Sequence, residues 1–336
     1  MNLDKKSVPP YLRRKKIIVH GEQVTDIRSV GDGVKNIIYR VVTTRKRLIV
    51  KQARSRANTK GSRMFLDRKR VFKEKSCLDV LSQILPPDIV PETHLEDRTN
   101  FVIVVDAAPR EAALWEDELA TGKIDLQIAA QCGELLATVH NHTNRAKELK
   151  TLFKSTKAFE QLRVEPLYKA MIPDYPEQQK LIETQARMLT NDARVLILGD
   201  LRPRNVWVNS GQVFLVDFAT AHYGHPSFDA AFYASDLCLK AILNAPQKAA
   251  YLEGINVFWM AYFRLIKYAK KAAVERNAVR DFGCLLLSAA AGHMPELALD
   301  EGTQDLTKRI GQSLLFTELE KIEDITEFIN RTLIDG

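Results

Sequence analysis

No apolar run of about 18 residues occurs in this 336-residue chain. The nearest candidate, Ile255 to Ile266, is broken by Asn256 and Arg264, which excludes an ordinary membrane-spanning helix. The N-terminus has basic residues but no apolar stretch behind them, so no secretory signal is expected there. Cysteine is scarce: Cys77, Cys132, Cys238 and Cys284 form no C-x-x-C pair and have no histidine at ligand spacing. That argues against a disulfide frame or a zinc site and for reduced, buried thiols in a cytoplasmic protein. Internal repeats and low-complexity tracts are absent. So is G-x-x-x-x-G-K-[ST], which disfavours a P-loop enzyme.

Present instead is a globular composition, 46% hydrophobic and 27% charged, with enough apolar residues for a sizeable core. The net charge of +7 is unevenly spread. Residues 1–75 hold 22 Lys and Arg against 6 Asp and Glu, whereas the remainder holds 27 against 36. A basic N-terminal part implies an anionic partner such as nucleotide phosphates. No base-stacking aromatic pattern accompanies it, so nucleic acid is disfavoured.

Two styles of sequence predict three segments. Residues 1–20, with Pro9-Pro10 and Arg13-Arg14-Lys15-Lys16, read as a basic arm. Residues 21–107 read as short β-branched strands with one main helix, expected from about Met64 to Leu85 and closed by Pro86-Pro87. A polar, basic loop is expected over residues 53–63, before that helix. Residues 108–336 are mostly helical, interrupted by strands between Val195 and Asp217. His222 and His225 are expected in a loop without metal.

The stretch from Val195 to Asp229 carries the chemistry. A strand ending at Leu198 delivers Gly199-Asp200-Leu201-Arg202-Pro203-Arg204-Asn205, and a hairpin then delivers Asp217-Phe218. Phosphoryl transfer needs a carboxylate at the attacking hydroxyl and oxygen ligands for Mg²⁺ at the phosphates. The order Asp200, Asn205, Asp217 matches a kinase catalytic Asp and its two metal ligands. Upstream, Gly31-Asp32-Gly33 turns between strands and could lay backbone N–H groups over phosphates. Lys51 ends the apolar run Leu48-Ile49-Val50, and Glu74 shares a helix face with Arg70 and Leu78, making Glu74 the candidate partner of Lys51.

These motifs resemble those of the aminoglycoside phosphotransferase and choline kinase superfamily. The residues concerned are Leu198 to Asn205, Val216-Asp217-Phe218 and Tyr223-Gly224-His225-Pro226-Ser227-Phe228-Asp229. The N-terminal half looks most like methylthioribose kinases. The resemblance implies an α+β, protein-kinase-like bilobal fold, with a small β-rich N-lobe containing one main helix and a larger helical C-lobe. It implies ATP and Mg²⁺ as cofactors and a small-molecule hydroxyl acceptor: a sugar, an amino sugar or an amino alcohol. A homodimer is compatible with it.

By this resemblance Asp200 would orient or deprotonate the hydroxyl, and Arg202 would stabilise the transferring phosphoryl. Asn205 and Asp217 would bind Mg²⁺. Gly31, Asp32, Gly33 and Lys51 would meet phosphates, with Glu74 holding Lys51. Val105 and Ala107 would offer backbone groups to adenine, and Asp229 would brace the catalytic loop. The chain departs from the family in having Leu198 where a His is usual. It also has Asp217-Phe218-Ala219 where methylthioribose kinases have D-x-E. The rival reading is a kinase-like nucleotide-binding scaffold without activity.

Overall fold

The computed structural model describes residues 2–31, 33–58, 64–268, 270–294, 297–316 and 322–335. They form two compact units. The first contains residues 1–112 together with 214–220; the second contains the rest.

The first unit is built on a five-stranded antiparallel sheet. Its order is β1 (Val24–Ser29), β2 (Asn36–Thr43), β3 (Arg47–Ala53), β5 (Val102–Asp106) and β4 (Thr93–Asp97). Strand β5, between β3 and β4, is apolar on both faces because both are covered, and Val102 to Val105 are buried. Where the sequence suggests an arm, the structure has a helix, α1 (Val8–Arg14). Pro9 and Pro10 fit its first turn, where no intrahelical N–H is needed. Val8, Tyr11 and Leu12, with Ile17 and Ile18 beyond, join Leu48, Val50, Val102 and Val104 in one core. The Tyr11 hydroxyl donates to Asp97 at 2.8 Å, and Lys15 pairs with the same carboxylate at 2.8 Å. The main helix, α2, spans Arg70–Ile84, shorter than the sequence suggests. Residues 64–69 are extended or turned; of the basic loop expected at 53–63, residues 59–63 lie outside the described residues.

The second unit is mainly helical. After the two-residue strand β6 (Ala113–Leu114) come α3 (Trp115–Ala120), α4 (Leu126–Thr143), α5 (Lys147–Leu152) and the single turn α6 (Lys157–Phe159). The chain then widens into a π-helix over Glu160–Lys169, a register that accommodates Pro166, which has no N–H to donate. Helix α7 (Gln179–Asn191) leads to strand β7 (Val195–Ile197), followed by β8 (Val206–Asn209), β9 (Gln212–Leu215), whose last two residues fall in the first unit, and β10 (His222–Gly224). Strand β7 pairs with β10. His222 therefore sits within a strand and His225 is buried just beyond it, rather than in an open loop. Helices α8 (Ser227–Leu243), α9 (Lys248–Leu265), α10 (Lys271–Ala290), α11 (Glu301–Phe316) and α12 (Ile322–Asp335) complete the unit. Trp115 and Trp259 are core residues, and the four cysteines are buried and in no disulfide among the described residues. Among the described residues no helix is long and apolar enough to cross a membrane.

Candidate active site

In the first unit, β3 carries Lys51 in register with Ile38 on β2 and Ile103 on β5, so its backbone is fixed from both sides. Its ammonium lies 2.6 Å from Glu74 Oε2 on α2 and 2.7 Å from Asp217 Oδ1. Burial works against that charge, but the Asp217 and Glu74 carboxylates outweigh it and hold the lysine above its ordinary range. Glu74 is pushed up to about 7, by burial first and by the Asp217 charge as well, against the pull of Lys51. Asp217 has a left-handed backbone, φ 66°, an uncommon conformation for a residue with a side chain. Its side chain is 44% exposed although Lys51 beside it is buried.

Gly31 and Gly33 lie in the β1–β2 turn with φ of 73° and 67°, conformations that glycine adopts without steric cost. Asp32 lies outside the described residues. The turn is fastened by groups with no motif of their own. Arg54 donates from Nε to the Gly33 carbonyl at 2.9 Å. The buried Arg70 guanidinium binds the Lys35 carbonyl, Asn36 Oδ1 at 3.0 Å and the Asp67 carbonyl at 2.7 Å. Val105 is buried in β5, opposite Ile49. The Ala107 N–H donates to the Arg47 carbonyl at 2.9 Å, so the adenine donor expected at Ala107 is engaged within the sheet.

In the second unit, β7 ends at the loop bearing Asp200. Both Asp200 oxygens are held: Arg163 Nη2 donates to Oδ2 at 2.8 Å, and Arg202 donates from Nε to Oδ1 at 2.7 Å and from Nη2 to Oδ2 at 3.2 Å. Burial alone would raise this carboxyl. The Arg202, Arg163 and Arg204 charges overcome it and keep Asp200 far below the usual carboxylate range. Arg163 also donates to the Gly199 carbonyl at 2.9 Å, and the Phe232 ring on α8 lies against both guanidiniums. Asn205 Nδ2 donates to the Asp200 carbonyl at 3.0 Å, which leaves its amide oxygen as the atom suited to a cation.

Below the loop, the buried Asp229 carboxylate accepts from the Leu198 and Gly199 N–H groups at 2.7 and 2.8 Å. His140 Nε2 is 3.5 Å from Asp229, and His140 Nδ1 is 2.7 Å from the Tyr262 hydroxyl, which in turn meets Tyr268 at 2.7 Å. The loop therefore has a polar support although Leu198 replaces the usual His. Sequence reasoning missed Arg163, Arg70 and this role of His140. Each acts across 30 or more residues of chain, and none stands in a motif.

The profile of the phosphotransferase enzyme family matches residues 26–263. A methylthioribose kinase of Exiguobacterium sibiricum is 21% identical, over 93% of this chain and 86% of its own length. One from Pectobacterium carotovorum is 24% identical, over 94% and 86%. Among solved structures, an ethanolamine kinase of Plasmodium vivax has TM-score 0.54 at 11% identity, covering 99% of this chain and 88% of its own. A choline/ethanolamine kinase family protein from Mesorhizobium loti has TM-score 0.53 at 12% identity, covering 91% and 92%. At such identities the structures establish a kinase-like fold. The family match spans well over half of the sequence, and with it the chain belongs to the phosphotransferase enzyme family.

Proposed function

We propose that the protein is an ATP- and Mg²⁺-dependent kinase of a small-molecule hydroxyl, and that its acceptor is a neutral sugar of the methylthioribose kind. The observation that carries this reading is Asp200, ionised and aimed by Arg163 and Arg202 on a loop braced by Asp229. So strongly depressed a carboxyl is a poor proton store. Asp200 therefore works chiefly by aligning the hydroxyl, as suits a transfer in which positioning and charge stabilisation dominate.

Lys51, held by Glu74, would meet the phosphates, and Gly31 and Gly33 would cover them. The donors suit Mg²⁺: the Asp217 carboxylate and the Asn205 amide oxygen are hard ligands, and this ion takes few protein groups because phosphates and water fill the rest of its shell. The metal would neutralise charge at the β- and γ-phosphates. Arg202 would act on the transferring group. Three arginines around one carboxylate leave local positive charge, which supports a neutral sugar over a cationic amine. The overall acidity of the remaining chain would favour the amine, but it is diffuse, whereas the arginines are at the reacting group.

The test is ADP release from Mg·ATP over methylthioribose, other pentoses, amino alcohols and aminoglycosides. A methylthioribose-like pentose is expected to be turned over. Asp200→Ala is expected to lower that turnover by about three orders of magnitude while ATP still binds. Undiminished product in Asp200→Ala would overturn the assignment. ATP binding without turnover on any acceptor would favour the inactive scaffold.

A further inference from the structure

The second unit contains a cavity of about 430 Å³ at the end of β7 opposite the Asp200 loop. Its walls include Arg145, Lys147, Lys150, Arg194 and Lys270, with no carboxylate among the lining residues. This is an unusual concentration, since residues 76–336 together carry nine more acidic than basic groups. The carboxylate at its edge, Asp192, is bound to Arg194 by two hydrogen bonds of 2.9 and 2.5 Å. Asp192 lies below its ordinary range, through that bonding first and through the charges of His225 and Lys270 as well. Among the described residues, no carboxylate lies within ion-pair distance of Arg145, Lys147, Lys150 or Lys270. Like charges gathered around a concave surface raise its potential and favour an anion within it.

The frame is rigid where it needs to be. The Arg145 N–H donates to the Arg194 carbonyl at 3.2 Å, and the Arg194 N–H donates to the Gly224 carbonyl at 2.9 Å. Tyr223 and Tyr268 form part of the wall, and their hydroxyls are already bonded, to the Thr143 carbonyl and to Tyr262. Arg145 and Lys270 both have left-handed backbones, φ 57° and 68°. Such conformations cost on the order of 1 kcal/mol or more for residues with side chains, and they cluster at ligand clamps. Asp217 shares this feature with them.

We propose that this cavity binds a phosphate-bearing small molecule with at least two negative charges. The volume is in the range of small-molecule sites and too confined for a polymer to enter as a whole. The site is separate from the Asp200 loop: Arg194 precedes β7 and Asp200 follows it, so about 10 Å of strand lies between them. The inference goes beyond the proposed kinase reaction and does not depend on it.

Calorimetry with pyrophosphate and with ribose 5-phosphate, at low salt and without Mg²⁺, tests it. The expected result is saturable 1:1 binding that weakens as salt rises. The triple variant Lys147→Gln/Lys150→Gln/Lys270→Gln is expected to lose at least tenfold in affinity. All three lysines are exposed, so an unchanged thermal midpoint should accompany the loss. A control with the same charge change at exposed lysines elsewhere, Lys5→Gln/Lys123→Gln/Lys180→Gln, is expected to keep the affinity. No saturable binding at millimolar ligand, or equal losses in both triple variants, would overturn the site. So would tighter binding of a short single-stranded oligonucleotide than of pyrophosphate through the same three lysines, since the occupant would then be a polymer.

Discussion

The least expected residue in the candidate site is Arg163, which comes from a π-helix and holds both the Asp200 carboxylate and the Gly199 carbonyl. Its role is to position Asp200, and a pH profile separates that from simple structural support. With two arginines in place Asp200 stays ionised as the pH falls, so the wild-type profile should lack an acid limb from this group down to about pH 5. Arg163→Ala removes one cation and lets the Asp200 pKa rise toward the ordinary value near 3.8 or above, because burial then has less opposition. Activity should fall about 10- to 100-fold at neutral pH and fall further on acidification, in a limb absent from the wild type. A uniform loss with an unchanged pH profile would mean that Arg163 only supports the loop. Glu74 stands in a comparable relation to Lys51. Glu74→Gln should weaken ATP binding more than it slows the bound complex, read as a rise in KM for ATP with a smaller change in kcat.

The strand, loop and hairpin around Asp200 were legible because an apolar strand, a fixed Asp-to-Asn spacing and an Asn-Ser-Gly turn all agree locally. The proximity of Lys51 and Glu74 could be read for a similar reason: a strand-end lysine and one face of the next helix are features of single elements. Helix α1 was hidden because Pro9-Pro10 and four consecutive basic residues mask Tyr11 and Leu12, whose burial depends on a sheet formed later in the chain. Arg163 was hidden because its partner lies 37 residues away and Pro166 argues against a helix there. Helix crossings are another property that no single element reveals. Where α10 meets α11, a Cβ on Gly283 would sit 2.8 Å from the Gly311 carbonyl and 2.9 Å from the Leu315 nitrogen, both backbone atoms. A Cβ on Gly311 would sit 3.0 Å from the Gly283 carbonyl and from Leu287 Cγ, and 3.1 Å from Leu287 Cδ2, contacts at the edge of what a side chain can absorb. Alanine gains about 1 kcal/mol of helix propensity at either position, while overpacking costs about 1–3 kcal/mol. Gly283→Ala should therefore destabilise by about 1–2 kcal/mol, and Gly311→Ala should come close to neutral in urea unfolding. Equal effects would mean that the helices separate as rigid rods.

Over the whole molecule, charge is sorted along the chain. The basic first 75 residues contain the groups proposed to meet phosphates, and the more acidic remainder gathers five of its cations at one cavity. In the second unit Asp281 is buried with hydroxyls rather than a lysine or arginine bonded to it, and it should contribute to how stability varies with pH. Asp281 on α10 accepts from Ser227 at 2.5 Å and from Tyr168 at 3.2 Å. Ser227 is linked in turn to His225, and Cys284 lies one turn further along α10. Burial pushes Asp281 up to about 7, and the two hydroxyls lower it only in part. The folded protein therefore keeps a proton on Asp281 between about pH 4 and 7 that the unfolded chain has released. Since the native state binds more protons over that window, this group's stabilising contribution is complete below about pH 4 and is lost as pH rises to 7. His225 acts in the opposite direction at the acidic end: burial holds it near 4, so it opposes folding below about pH 6. Asp281→Asn keeps the hydrogen-bonding shape and cannot ionise. Its thermal midpoint should match the wild type near pH 4, begin to exceed it by pH 5.5 and exceed it at pH 8 by roughly 5 °C or more. Parallel midpoints for the two proteins across that range would mean that Asp281 is ionised in the native state, with the Ser227 and Tyr168 hydroxyls sufficient to hold its charge.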